Sequence, residues 1–154
     1  MQTLIDKQLS AEEIVKLSST YLNEGRKQES WEILDIKIKD NILFARLKMS
    51  SFFISPTDQA GFHLTIFSTL EFLSQLVIIY AHVWAGYTEK TREGWMVESN
   101  IISKHAIRDP DNIQIEMTVK SIKKIGENMV AVTQSRIFDS QGGLFEARLK
   151  GFLS

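Results

Sequence analysis

Hydrophobic and polar residues alternate along most of this chain, and one long apolar stretch, Phe62 to Gly86, interrupts the alternation. Ser10 to Glu13 has the form of a capping box and opens a helical pattern to about Arg26, with Ile14, Leu17 and Tyr21 on one face. Trp31 to Lys39 alternates through Ile36 and Ile38, Asp40 and Asn41 read as a turn, and Ile42 to Met49 alternates again, which predicts a hairpin. Phe52 to Ile54 is a short apolar run, and Ser55 to Gly61 is a loop. Beyond Gly86 the period of two returns in Trp95 to Ile107, Ile113 to Val119, Met129 to Phe138 and Leu144 to Leu153. Asp109 to Asn112, Gly126 to Asn128 and Asp139 to Gly143 are the turns between these runs.

The predicted order is a helix, two strands, a long buried helix and about four strands in an antiparallel meander. With no repeat or linker, it is read as one domain over 1–154, with 1–29 as an N-terminal helical segment and 62–86 as the central helix. The central stretch is apolar on too many sides for a surface helix, so it belongs inside its own domain. The fold class is α+β, and the economical packing is a curved antiparallel sheet around that helix. A membrane span of the same length would put Glu71 near the bilayer centre at roughly 2–3 kcal/mol, which argues against it.

Composition narrows the function classes. The chain has 154 residues, 44 % of them hydrophobic, and only two prolines, enough for one domain with a sizeable core and unlike a disordered chain. Eighteen basic against 19 acidic residues leave a net charge of −1, without the basic face that nucleic acid needs. The absence of cysteine excludes disulfides, thiolate metal sites and a cysteine nucleophile. It is compatible with a cytoplasmic protein, and the N-terminus lacks a basic-then-apolar signal pattern. No metal spacing, phosphate loop or dinucleotide glycine motif occurs, so no cofactor and no metal are expected.

Chemistry concentrates on the central stretch. On a helical wheel with His63 at zero, Ser74, Glu71, His82, Gln75 and Ser68 fall within about 140°, while Ile66, Leu70, Leu73, Leu76, Val77 and Tyr80 take the other side. Glu71 leads the candidates: a carboxyl in an apolar site has a raised pKa and works as a general acid or base near neutrality. Its other reading is a structural glutamate bonded to Gln75, one turn on. His63, about 12 Å along the axis from Glu71, is either a base or carbonyl ligand, or simply a polar residue at the boundary of the core. His82, near the helix end, reads as structural. Asp58 is either a cap for the helix or a nucleophile or base. Gly61 permits close backbone approach, and the amides that follow it are placed to polarise a carbonyl.

The sheet wrapped on a helix resembles the hotdog arrangement, and three local motifs resemble its acyl-thioester enzymes. Glu71 to Gln75 looks like the Glu-x-x-x-Gln of β-hydroxyacyl carrier-protein dehydratases, although His63 is followed by Leu64-Thr65-Ile66 and not by the family's Phe-Pro-Gly. Asp58 to His63 is similar to the Asp-x-x-Gly-His loop of 4-hydroxybenzoyl-CoA-type thioesterases, with a spacing different by one. Residues 61–81 resemble FcoT-type long-chain acyl-CoA thioesterases, with Thr65 and Ser74 standing where that family has asparagines; Gly142 and Gly143 before the last strand are also similar. The resemblance implies a homodimer or dimer of dimers and an acyl-CoA or acyl-ACP substrate, without nucleic acid or a membrane span. It implies hydrolysis, with 3-hydroxyacyl dehydration or non-catalytic acyl binding as alternatives. Glu71, His63 and Asp58 are then the catalytic candidates. Gly61, Thr65, Gln75, Phe67 and Ser74 are the substrate contacts, and the acyl chain runs along Phe67, Phe72 and Ile78.

Overall fold

The computed structural model describes residues 5–18 and 29–154. Along the chain come β1 (Asp6–Leu9), α1 (Ala11–Leu17), β2 (Ser30–Lys39), β3 (Ile42–Ser51), α2 (Ile66–Trp84), β4 (Gly94–His105), β5 (Ile113–Ile125), β6 (Asn128–Phe138) and β7 (Leu144–Leu153). All neighbours in the seven-stranded sheet are antiparallel, in the order β1-β2-β3-β5-β6-β7-β4. The α+β class and the sheet packed on a long helix are as the sequence predicts.

Three local expectations are corrected. The N-terminal segment is not helical throughout: among its described residues, a short strand precedes a helix of seven residues. The capping box is present, with Ser10 Oγ accepting from Glu13 N and Ser10 N donating to Glu13 Oε1. The helix stops at Ser18, whose extended backbone and hydroxyl bond to Ile14 O end the turn; the remainder of the predicted helix, 19–26, lies outside the described residues. The central helix begins at Ile66, because Thr65 takes extended backbone as its N-cap and accepts from Ser68 N. Phe62 to Thr65 are therefore not helical, and the wheel phase assigned to His63 does not apply.

The last four strands are not a simple meander. β5, β6 and β7 run consecutively, but β4 joins β7 at the far edge and β3 lies beside β5. The helix that links β3 to β4 thus passes under the three strands between them. Its buried side packs Phe72, Leu73, Leu76, Ile79 and Tyr80 onto Leu43, Leu47, Ile115, Met117 and Leu149 from the sheet. Each such side chain contributes about 1.5–3 kcal/mol by leaving water. The β2–β3 turn is tight enough to place Asp40 at φ 57, and Tyr80 donates its hydroxyl to Asp40 O at 3.2 Å, tying that turn to the helix.

Candidate functional site

The loop before α2 is organised by one carboxylate. Asp58 Oδ1 accepts from Ala60 N at 3.1 Å, and Oδ2 accepts from His63 Nδ1 at 2.7 Å. Arg108, from the β4–β5 connection, places Nη1 at 3.2 and 3.1 Å from the two oxygens and 3.4 Å from Phe62 O. His63 first, and Arg108 after it, hold the Asp58 carboxyl below its ordinary range. Asp58 is therefore an orienting acceptor. It does not cap the helix; Thr65 does. With a carboxylate on Nδ1, His63 carries its proton there and presents Nε2 as the basic nitrogen. Gly61 adopts φ 87, a left-handed conformation that suits glycine, where the loop turns back towards the helix.

Arg108 is held in turn from behind. The buried Asp139 accepts from Arg108 N and Asp109 N at 2.8 and 3.0 Å through Oδ2, and from Gln141 N and Gly143 N at 3.1 and 2.7 Å through Oδ1. Burial pushes its carboxyl up, but the four backbone donors outweigh burial and hold it below the ordinary value. Gly143 makes this possible, since a Cβ there would lie 2.6 Å from Ile107 Cα.

The start of α2 already carries a negative group. Glu29 Oε1 accepts from Ser68 Oγ at 2.8 Å and from Thr65 Oγ1 at 3.4 Å, at the end of the helix where a carboxylate is favoured. Thr65 is thus committed to capping and to Glu29.

Glu71 stands apart from this loop, about 9 Å along the axis from the N-cap. It is half-buried, and Trp31 Nε1 on β2 lies 3.5 Å from its Oε2. Together with Ser74 it forms the polar end of a cavity of about 270 Å³ between α2 and the β4–β7 edge. The other walls include Leu70, Val77, Ile78, Met96 and Leu153, with backbone at Gly94 and Gly151. Ser74 Oγ donates to Leu70 O at 2.7 Å. The structure therefore joins Asp58 with His63, and Glu71 with Ser74, in two separate places.

Of the expected acyl path, Phe67 is 83 % exposed on the first helical turn and is not a wall of this cavity, and Phe72 is fully buried edge-on against Trp31 with centroids 6.1 Å apart. Ile78 does line the cavity. Gln75 is buried at 2 % exposure, as are Ser68 and His82, so much of the helix's polar side is covered and does not face a crevice. His82 is structural. Its Nδ1 donates to Ile78 O at 2.8 Å, and its Nε2 accepts from Thr91 N and Arg92 N, both at 3.1 Å. Trp31, Glu29, Arg108 and Asp139 were not read from the sequence as site residues. Only Asp139, heading a glycine-rich turn, carried a local signal.

No protein-family model and no curated protein matches the sequence. Solved structures do match. A conserved protein from Pseudomonas aeruginosa is similar over 95 % of this chain and 100 % of its own, at 10 % identity and TM-score 0.59. A thioesterase family protein from Silicibacter pomeroyi is similar over 93 % and 96 %, at 12 % identity and TM-score 0.55. A hypothetical thioesterase protein with coenzyme A from Streptococcus pneumoniae is similar over 81 % and 86 %, at 14 % identity and TM-score 0.51. At these identities the likeness is one of architecture, and it agrees with the strand order and the enclosed helix: the chain has the hotdog fold.

Proposed function

We propose that this chain hydrolyses acyl thioesters of coenzyme A, with the acyl group in the cavity beside Glu71. The observation that carries the reading is a carboxylate at the polar end of an otherwise apolar cavity in a hotdog fold. The similar Streptococcus pneumoniae protein, described with coenzyme A, supports that carrier over a carrier protein.

Glu71 takes a proton from water, and the hydroxide adds to the thioester carbonyl carbon. The C–S bond then breaks, and the departing sulfur receives the proton from the Glu71 carboxylic acid, giving a carboxylic acid and a free thiol. The Trp31 N–H holds one carboxylate oxygen, which leaves the other for water. His63, whose Nδ1 is held by Asp58, engages the polar carrier arm through Nε2 beside the helix start.

The working unit is a homodimer joined through β4. This 12-residue strand is one of the two edges of the sheet, β1 being the other, and its Gly94 to Met96 wall the cavity, so a second copy paired along the β4 edge closes the cavity's outer side.

Glu71→Gln keeps the side-chain volume but removes the base. Free-thiol release from acyl-CoA is expected to fall by about 10²–10⁴-fold with the melting temperature unchanged. Undiminished release removes Glu71 from the chemistry. One observation favours a second reaction on the same fold: the imidazole oriented by Asp58 suits abstraction of an α-proton in 3-hydroxyacyl dehydration. Enoyl thioester formed from a 3-hydroxyacyl thioester without thiol release identifies that reaction, and tight binding without either product identifies an acyl-binding protein.

A further inference from the structure

We infer that the α2–β7 contact at Val77 and Gly151 limits the cavity to apolar acyl groups of medium size, roughly ten carbons. The substrate class rests on the thioester reading above; the size limit rests on the cavity itself.

The walls set the chemistry of the occupant. Glu71 and Ser74 are the polar groups at one end, and the Ser74 hydroxyl is already donated to Leu70 O. Leu70, Val77, Ile78, Met96 and Leu153 offer no hydrogen bond along the rest. A tail bearing hydroxyl or charge would lose its water without replacement, at about 1–3 kcal/mol for each neutral group. The tail is therefore a plain hydrocarbon, straight, branched or aromatic.

The volume sets its size. A cavity of ~150 Å³ takes the six carbons of benzene, so about 270 Å³ takes roughly ten. This lies just under the roughly 300–1,000 Å³ of small-molecule clefts, so a long fatty chain would extend beyond these walls.

Gly151 shows how the space is made. Its backbone is outside the left-handed region, so glycine is not required there by conformation. Glycine inside a strand weakens the strand and often marks close approach of a ligand or another backbone. A Cβ built on it would meet Val77 Cγ1 at 3.2 Å, so Val77 must give by a few tenths of an ångström. Val77 lies about 9 Å along the helix axis beyond Glu71, so this contact closes the half of the cavity far from the carboxylate. One methyl added at residue 151 shortens the space, and methyls removed at residue 77 lengthen it.

The test is a chain-length series from acetyl- to palmitoyl-CoA on the parent, Gly151→Ala, Val77→Ala and the double variant. A parallel series of straight-chain alcohols is followed by thermal shift, which needs no turnover. The parent's kcat/KM is expected to peak near ten carbons. Gly151→Ala loses about tenfold or more at the longest accepted chain and little at short ones, Val77→Ala extends the limit, and the double variant returns towards the parent. The alcohol series shifts in the same directions. A parent that takes palmitoyl as well as decanoyl chains overturns the inference, and so do unchanged length profiles in all three folded variants. If no thioester is cleaved but the alcohol profile moves with the variants, the size limit stands and the hydrolase reading falls.

Discussion

His82 is a buried histidine with every ring nitrogen committed. A carbonyl on Nδ1 and two amides on Nε2 allow only the neutral tautomer with its proton on Nδ1. Burial, with Lys90 and Arg92 nearby, outweighs the bond to Ile78 O and pushes its pKa below the ordinary histidine value. The unfolded chain therefore binds the proton more readily than the folded one. The stabilisation is complete above the unfolded value of about 6.5 and is lost as pH falls through that value towards the lower folded one. Urea unfolding across this range is expected to show stability declining on the acid side, and His82→Gln to flatten that slope while lowering stability at neutral pH. An unaltered slope in the variant assigns the acid sensitivity elsewhere. At the same scale, the sequence placed Asp58 and His63 in one loop but could not show that they bond, nor that Arg108, fifty residues later, completes the pair. No local pattern encodes a partner brought in by sheet closure.

Among the elements, the β6–β7 turn and the β4–β5 connection act as one piece because Asp139 binds backbone from both. Asparagine offers one acceptor oxygen where the carboxylate offers two. Asp139→Asn therefore leaves two of four backbone donors facing an NH₂ group. At about 1–3 kcal/mol for each orphaned donor, a loss of roughly 2–6 kcal/mol is expected in denaturant unfolding. A cost near zero means that water replaces the carboxylate and the two segments are not coupled through it. The alternating runs and turns were legible in the sequence because each strand has one buried face, as Ile113, Ile115, Met117 and Val119 illustrate. Strand neighbours were less so: β4 carries no mark that sends it to β7 rather than to β5, since pairing is settled by the helix crossing under the sheet. The polar side of α2 misled for a related reason. Glu29, just before β2, and Trp31, at its start, reach Ser68 and Glu71, so this part of the chain covers positions that the wheel leaves open.

At the scale of the whole molecule, helix α2 is long and apolar enough to cross a membrane by composition, yet 67 % of its apolar window is buried within the fold, as a core helix requires. Exposed apolar side chains also line the β4 edge of the sheet. This strand of twelve residues borders the sheet beyond β7, and Trp95, Val97 and Ile102 on it are 60, 59 and 51 % exposed. A long apolar edge invites another strand, and a two-fold axis lets the same edge serve both copies. Lysine on an edge blocks such pairing, so Val97→Lys with Ile102→Lys is expected to convert a dimer to a monomer in sedimentation while the circular dichroism stays unchanged. The cavity wall at Gly94 to Met96 lies on this edge, so the monomer should also bind the alcohols of the chain-length series more weakly. A parent that sediments as a monomer at micromolar concentration removes the dimer from the proposal. A monomeric variant with full cavity affinity shows that each cavity is complete within one chain.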